Sequence, residues 1–435
     1  MLANFCNIDS YFLFKNRKIK MIIKSILKSN QAFILVASLV CVSLFLKAGL
    51  LSASVILFCL FCLVNRDQQI IPNAKLRKLL LLPILLFALY VCWTVFSYNT
   101  TEAWNIIERK IWLLIIPASF LLTKKTESSQ NLHIILFVFL IMCLAASFVC
   151  YVNSIINIIA HNSFSVHNDD RTYYYFSYYH LTAPINISPI YLSLYCNLGF
   201  VVVLKTPFIK NKVLKNILAA YFVVFILLIS AKIGIISLIL ILALYTYNFE
   251  SSNLKIRMLI GSGVIIILLI GVSQFSFLKD RFLTSTKYDY KEQYGHAWNS
   301  VTYRLAIWSC SLEAIKRKPL LGAGTGGGQA SLEKIYAERG FSWGLQESYN
   351  PHNEFLSAML DLGFLGPVVL LIMLGALLHR AIRVKDILLI SFIIIMFLFF
   401  LTESILLRQK GIIIFCFMYS LFCSCVPDTQ QKLLI

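Results

Sequence analysis

Apolar runs of about 20 residues recur along the chain, and short basic segments separate them. A run of this length crosses the hydrocarbon core of a bilayer as a helix, which satisfies its own backbone hydrogen bonds there. Hydrophobic residues make up 59% of the 435 residues, and the mean hydropathy is +0.78, well above the composition of soluble domains. The sequence therefore predicts an all-α polytopic membrane protein and argues against a soluble one.

We predict about twelve transmembrane helices from these runs. A long, partly helical outer loop separates the ninth predicted span from the tenth. Three regions follow: spans one to nine in 1–275, the loop in 276–353, and spans ten to twelve with a tail in 354–435. The predicted spans are roughly 31–46, 49–65, 79–98, 111–123, 132–155, 190–205, 217–231, 234–249, 258–275, 354–378, 387–404 and 411–426.

The formal net charge is +19, which raises the question of a nucleic-acid partner. Of the 39 Lys and Arg residues, 22 fall in predicted inner segments, 7 in short outer ones and 10 in the long outer loop. Positive residues concentrate in the short cytoplasmic segments of membrane proteins. We therefore predict that both termini are cytoplasmic, and the charge requires no nucleic-acid partner.

The stretch YNPHNEFLSAMLDLGFLGPVVLL begins polar and becomes an apolar run. From His352 to Gly363 is about three helical turns, and Gly366 follows one turn later, which predicts one shared helix face for close packing. Asn350 or Asn353 is expected to cap this helix, whose first amides favour an anion such as phosphate. His352 either adds a proton acceptor to that site or is an ordinary interfacial histidine beside a cap.

Four cationic residues near predicted spans are candidates for binding phosphate groups. Lys232 lies in LLISAKIGIISLIL, where an ionisable residue indicates either a functional site or a tight outer turn. Arg109 and Lys110 end a short outer segment and either bind a diphosphate or anchor to lipid headgroups. Arg304 begins a predicted helix and either binds phosphate or is a snorkelling surface arginine. The sequence alone leaves each choice open.

The long outer loop contains two predicted helices. The first is TYRLAIWSCSLEAIKRKP, and the second covers residues 329–339 after the glycine run GAGTGGG. Four apolar residues of the first helix recur at helical spacing and predict a face at the membrane interface: Leu305, Trp308, Leu312 and Ile315. The glycine run lacks the ending of a nucleotide-binding loop, so it is either an amide nest for phosphate or a flexible turn.

The segment HNEFLSAMLDLGFLG resembles the signature of the O-antigen ligase and polymerase superfamily. In that signature His is followed by Asn, Ser or Gln, then by nine intervening residues and a Gly, and then by two further residues and a Gly, Thr or Tyr. Here these positions are His352, Asn353, Gly363 and Gly366.

Upstream elements strengthen this resemblance. An Arg-x-x-x-Trp segment is present as Arg304 and Trp308, and a Pro-Leu-x-Gly-x-Gly turn follows at residues 319–324. The segment SAKIG resembles a family element in which many members have arginine where this chain has Lys232. That replacement keeps the positive charge but loses the bidentate guanidinium.

The resemblance implies transfer of a glycan from an undecaprenyl-diphosphate carrier, without metal, nucleotide sugar or other cofactor. It implies that His352 and Arg304 are catalytic, with His352 assisting the acceptor hydroxyl. Lys232 and Arg304 would hold the diphosphate, and Arg109, Lys110 and Asn353 are further candidates for that site. Gly363, Gly366 and Trp308 would be structural parts of the motif.

The resemblance also implies a place and a set of partners. The reaction is expected at the periplasmic face of the inner membrane of a bacterium, among membrane lipids, with lipid A-core as the acceptor. A polymerase of O-antigen or capsule and a protein O-oligosaccharyltransferase share the donor and the signature, so both stay open. A lipid or polysaccharide transporter is the alternative from a different class, although the sequence shows none of the internal repeats typical of transporters.

Overall fold

A computed structural model describes residues 30–65, 74–122, 129–161, 174–247 and 300–425. Its regular structure is helical, with no strand among these residues. The α-helices are α1 (Asn30–Ser43), α2 (Ala48–Val64), α3 (Ala74–Cys92), α4 (Thr100–Lys110), α5 (Trp112–Leu122), α6 (Ser129–His161), α7 (Tyr178–Thr182), α8 (Pro189–Lys205), α9 (Lys212–Ile229), α10 (Lys232–Tyr247), α11 (Ser300–Arg317), α12 (Gly327–Arg339), α13 (Ser342–Gln346), α14 (Glu354–Leu362), α15 (Leu365–Val384), α16 (Ile387–Thr402) and α17 (Gln409–Cys425).

Four helical segments of the described chain are long and apolar enough to cross a membrane: Arg77–Phe96, Gln130–His161, Lys212–Ile229 and Leu365–Val384. A fifth arises if Tyr178–Ile185 and Pro189–Lys205, which are bent by 79°, form one span. Five shorter apolar helices accompany them: Asn30–Ser43, Ala48–Val64, Lys232–Thr246, Ile387–Thr402 and Gln409–Cys425. The all-helical membrane class is therefore supported. The predicted span 258–275 lies outside the described residues, and the set of twelve stays a prediction.

Two helices, α8 and α17, occupy the centre of the bundle. Nearly every side chain of both is buried, because neither sequence has a polar face, as in GIIIFCFMYSLFCSC of α17. A helix that is apolar on all sides belongs in an interior. Helix α8 packs against α6, α9, α10 and α16, whereas α17 packs against α3 and α5. The candidate site lies at one end of these helices.

The single helix predicted from residue 354 is in fact two helices. Gly363 has φ 62° and ψ −153°, so the chain leaves the helical path between α14 and α15. His352 precedes α14 with φ 45°, and the predicted face shared with Gly363 is therefore wrong. Gly366 does serve close packing, since a Cβ there would lie 2.5 Å from the carbonyl oxygen of Ala358.

The two predicted loop helices are present as α11 and α12, and they form an apolar cluster of their own. The cluster contains Ala306, Ile307, Cys310, Ala314, Ile315, Leu332, Ile335, Tyr336, Phe341 and Leu360. The predicted apolar face of α11 is only partly correct, because Leu312 is exposed and Trp308 is half-buried. Small side chains such as Ala306, Cys310 and Ala314 are buried in this cluster instead, and side chains of this size let neighbouring helices approach closely. The division into three regions stays a prediction.

The glycine run 322–328 is a turn between α11 and α12 that is held on two sides. The amide of Ala323 donates to the carbonyl of Leu360 at 2.8 Å, and the hydroxyl of Thr325 donates to the carbonyl of Tyr90 at 2.6 Å. These bonds join the turn to α14 and to the end of α3. The turn is therefore a fixed joint rather than a flexible connection.

We predict that Gly363→Ala destabilises the protein, whereas Gly375→Ala does not. A Cβ at Gly363 would meet the backbone of Leu320 in a conformation that L residues rarely adopt, which costs about 1–3 kcal/mol for the backbone alone. Gly375 lies within α15 with no neighbour near an added Cβ, so alanine there is expected to gain about 0.5–1 kcal/mol. Thermal unfolding of the two purified variants measures the difference, and equal melting temperatures would contradict it.

Candidate active site

His352 is held in a turn immediately before α14. Its φ of 45° is unusual for a residue with a side chain, and its amide donates to Oδ1 of Asn350 at 2.9 Å. Asn353 then caps the helix, because its Oδ1 accepts from the amides of Phe355 and Leu356. The asparagines on both sides of His352 thus fix the backbone that presents the imidazole, and the predicted cap at Asn353 is confirmed.

The imidazole of His352 pairs with a carboxylate from a distant part of the sequence. Its Nδ1 lies 3.0 Å from Oε1 of Glu403, which follows the last residue of α16. The His352 side chain is 28% exposed and the Glu403 side chain 9%, so the pair is partly open on the histidine side. A carboxylate in this position orients the ring and determines which ring nitrogen carries the proton.

The charge state of Glu403 follows from its surroundings. Burial raises the pKa of this carboxyl, and the hydrogen bond with His352 opposes that effect. Electrostatic interactions with His352, Arg304 and Arg408 also oppose it, so the pKa of Glu403 lies below its ordinary value. Glu403 is therefore a carboxylate at neutral pH, which allows it to accept the hydrogen bond from the imidazole.

The residues beside His352 are bound to the same distant segment and to α11. The amide side chain of Asn353 donates to the carbonyl of Leu401 at 2.9 Å, and its backbone amide donates to the hydroxyl of Ser404 at 3.3 Å. From α11, Nε1 of Trp308 donates to the carbonyl of Pro351 at 3.0 Å. Trp308 thus holds the turn that carries His352, which gives this residue of the predicted motif a structural role.

A cavity of about 210 Å³ lies next to this turn. Its lining includes Lys232 at the start of α10, Arg304 and Trp308 on α11, Tyr178 of α7 and Thr402 at the end of α16. Both predicted diphosphate-binding cations are therefore brought to one cavity, although 72 residues separate them in the sequence. The described residues of the lining include no Asp or Glu, so this cavity favours an anion.

A comparison with known protein families identifies this region. Residues 217–371 match the family model described as O-antigen ligase. This match covers 155 of the 435 residues and supports the resemblance to the O-antigen ligase superfamily. The matched segment includes Lys232, Arg304, Trp308 and His352, whereas Glu403 lies beyond it. No curated protein matches the chain in a sequence comparison.

The other predicted donor-site residues lie elsewhere. Lys110 is completely buried, where its Nζ lies 3.2 Å from Oε1 of Glu354 and 4.7 Å from the centre of the Tyr90 ring. Arg109 is exposed at the end of α4 and does not line the cavity. The side chain of Asn353 caps α14 and donates to the carbonyl of Leu401. We therefore assign Lys110 and Asn353 to the support of the site rather than to contact with a diphosphate.

Glu403 is the residue that sequence reasoning missed. It stands directly after ILLISFIIIMFLFFLT, the apolar sequence of α16, and such a carboxylate at the end of an apolar span is a signal that could have been noticed. Its partner could not have been inferred, because 51 residues separate Glu403 from His352. Among the described residues, no three His, Cys, Asp or Glu side chains group closely enough to hold a metal ion.

We predict that Lys110→Met strongly destabilises the protein and that Lys110→Met with Glu354→Gln is less destabilised. The single variant leaves the Glu354 carboxylate buried without its cation, which costs about 3–5 kcal/mol, whereas the double variant removes both charges. Melting temperatures in detergent measure the effect. If the double variant were no more stable than Lys110→Met, the charge pair would not be the reason for the loss.

Proposed function

We propose that this protein transfers a glycan from an undecaprenyl-diphosphate carrier to an acceptor hydroxyl, as an O-antigen ligase-type glycosyltransferase that needs no metal ion or other cofactor. One observation supports the proposal most: the paired His352 and Glu403 lie beside a cavity that is lined by Lys232 and Arg304. A base next to a cationic cavity suits a reaction in which a hydroxyl loses a proton and a diphosphate leaves.

The proposed reaction is a single displacement at the anomeric carbon of the donor sugar. The acceptor oxygen bonds to that carbon while the bond between the carbon and the diphosphate oxygen breaks, and the diphosphate keeps the electron pair. The acceptor proton passes to Nε2 of His352, because the ionised Glu403 only accepts and so places the ring proton on Nδ1. Glu403 then stabilises the imidazolium, which makes it a positioning residue for His352.

Lys232 and Arg304 have complementary roles toward the leaving group. Arg304 offers a planar guanidinium that binds two phosphate oxygens at once, whereas Lys232 offers a compact charge at the first turn of α10. Both cations stabilise the negative charge that grows on the diphosphate as the glycosidic bond breaks. The apolar side of the same cavity, with Ile190, Ile233 and Ile236, suits the start of the isoprenoid chain.

The proposed acceptor is a sugar hydroxyl of lipid A-core at the periplasmic face of the inner membrane of a bacterium, with both termini of the protein in the cytoplasm. Extension of a lipid-linked repeat by a polymerase would use the same donor and the same residues. Transfer to a protein hydroxyl would do so as well. The acceptor therefore has to be identified by analysing the glycan products.

Deletion of the gene in a bacterium that carries it, followed by analysis of the glycans, tests the proposal. A ligase predicts lipid A-core without polymer and accumulation of lipid-linked polymer, whereas a single repeat on the core would identify a polymerase. Complementation with His352→Ala is expected to give the deletion phenotype while the protein still accumulates in membranes. Full activity of that variant would exclude His352 as the base.

Glu403 is tested by two substitutions that separate its charge from its shape. Glu403→Gln keeps the size of the side chain but has no negative charge to stabilise the imidazolium of His352. We therefore expect kcat to fall about 100-fold with little change in the KM for the donor. Glu403→Asp keeps the carboxylate and is expected to recover part of this loss. If the Gln variant were as active as the wild type, or if Asp were no better than Gln, the positioning role would be refuted.

A further inference from the structure

A second recess, which we call the outer groove, lies between the start of α4, the end of α11 and the first turns of α12. Its volume is about 720 Å³, within the usual range of ligand sites. Its walls include Tyr98 and Glu102 on one side and Lys318, Gln329 and Glu333 on the other. None of these residues takes part in the reaction proposed above.

The charge of the outer groove differs from that of the cavity at Lys232 and Arg304. Three cations, Arg317, Lys318 and Lys334, are part of its lining. Two of them have nearby acceptors: Nζ of Lys318 donates to the hydroxyl of Tyr98 at 3.1 Å, and Arg317 donates to Glu338 at 2.8 Å. Two carboxylates, Glu102 and Glu333, are also part of the lining. A lining that mixes donors and acceptors in this way suits a hydroxyl-rich ligand of low charge better than a diphosphate.

Tyr98 offers an aromatic surface at the entrance of the groove. Nζ of Lys318 lies 4.4 Å from the centre of the Tyr98 ring and holds it in place, yet the residue is 84% exposed. The apolar face of a sugar ring packs well on an exposed aromatic ring. Amide and carboxylate side chains nearby then match the hydroxyl groups at the edge of the sugar.

The floor of the outer groove is preorganised. It consists of the fixed glycine turn, including Gly322 and Gly326, and of Met359 and Leu360 from α14. A Cβ at Gly326 would lie 2.8 Å from the amide nitrogen of Ala103, so this part of the turn packs directly on α4. A site with a rigid floor loses little conformational entropy when it binds a ligand.

The wall of the groove is bonded to the segment that carries His352. The side-chain amide of Gln329 donates to the carbonyls of Ser348 and Tyr349 at 3.2 and 3.3 Å. The ring of Tyr349 lies 6.3 Å, centre to centre, from the ring of His352. The wall of the groove is therefore linked to His352 through Ser348 and Tyr349.

The distance between the two sites sets the size of a ligand that reaches both. Arg304 and Lys318 lie on or just beyond α11 and are 14 residues apart, which corresponds to about 20 Å at the rise of an α-helix. A single sugar ring is much shorter than this distance. Only a chain of several sugar units extends from the reacting centre into the outer groove.

We infer that the outer groove binds a saccharide chain of several units that belongs to one of the two substrates, and this inference rests on the proposed glycan transfer. The chain is attached either to the donor or to the acceptor, because both present the same chemistry. Binding there holds the substrate along the surface that leads to His352. Contacts far from the reacting bond then favour long substrates over short ones.

Ala330→Trp and Ala337→Trp form a matched pair for the test. Both alanines are exposed on α12, but Ala330 lines the groove, and Ala337, about two turns further along, does not. The full-length protein in detergent is assayed with lipid-linked glycan and lipid acceptor from the bacterium that carries the gene. Each substrate is used at full length and trimmed to the sugar next to the reacting atom.

We expect Ala330→Trp to lower transfer about tenfold when the relevant substrate is long and to have no effect when that substrate is trimmed. Ala337→Trp should match the wild type in every assay. If trimming the donor abolishes the difference between Ala330→Trp and the wild type, the chain belongs to the donor. If trimming the acceptor does so, the chain belongs to the acceptor. Tyr98→Ala should behave like Ala330→Trp. Its control is Trp104→Ala, which changes an exposed aromatic residue of α4 outside the groove and should match the wild type.

Two results would overturn the inference. One is equal transfer by Ala330→Trp and Ala337→Trp on long substrates, which would show that the groove is empty during the reaction. The other is an equal loss on long and trimmed substrates, which would indicate damage to the fold. Inactivity of the wild type on all of these substrates, or full activity of His352→Ala, would instead refute the proposed function itself.

Discussion

Three consecutive residues, His352, Asn353 and Glu354, are each bonded to the short segment 401–406, and the candidate site depends on this connection. His352 pairs with Glu403, Asn353 binds Leu401 and Ser404, and Glu354 accepts from the amide of Leu406 at 2.8 Å. Polar groups at the outer ends of apolar helices must find partners, because lipid offers none. The same bonds that satisfy them place a histidine and a carboxylate face to face.

The cavity and the outer groove differ in the charge of the residues that line them. The cavity at α10 and α11 collects Lys232 and Arg304 and has no carboxylate among its described lining residues, whereas the outer groove combines cations with Glu102 and Glu333. Helix α11 contributes to both recesses and so sets the distance between them. This difference in charge supports the two proposed ligands, a diphosphate in the cavity and a saccharide chain in the outer groove.

The glycines make this arrangement rigid rather than mobile. Gly363 and the run 322–328 pack against each other, since a Cβ at Gly322 would lie 2.5 Å from the amide nitrogen of Gly363. The sequence signature therefore contains two kinds of position. We propose a catalytic role for His352, whereas Gly363 and Gly366 allow α14 to approach the loop and the next helix without steric conflict.

The sequence by itself determined the helical membrane class, the two loop helices and the residues His352, Arg304 and Lys232, because hydropathy, helical periodicity and short motifs are local properties of the chain. It did not determine that α14 ends at Gly363. The apolar residues on both sides of Gly363 keep the spacing of one continuous helix, so the pattern gives no sign of the break. Only the tertiary structure decided that Lys110 is buried against Glu354 and that Glu403 is the partner of His352. Which charges meet depends on how distant helix ends pack, and no local pattern encodes that packing.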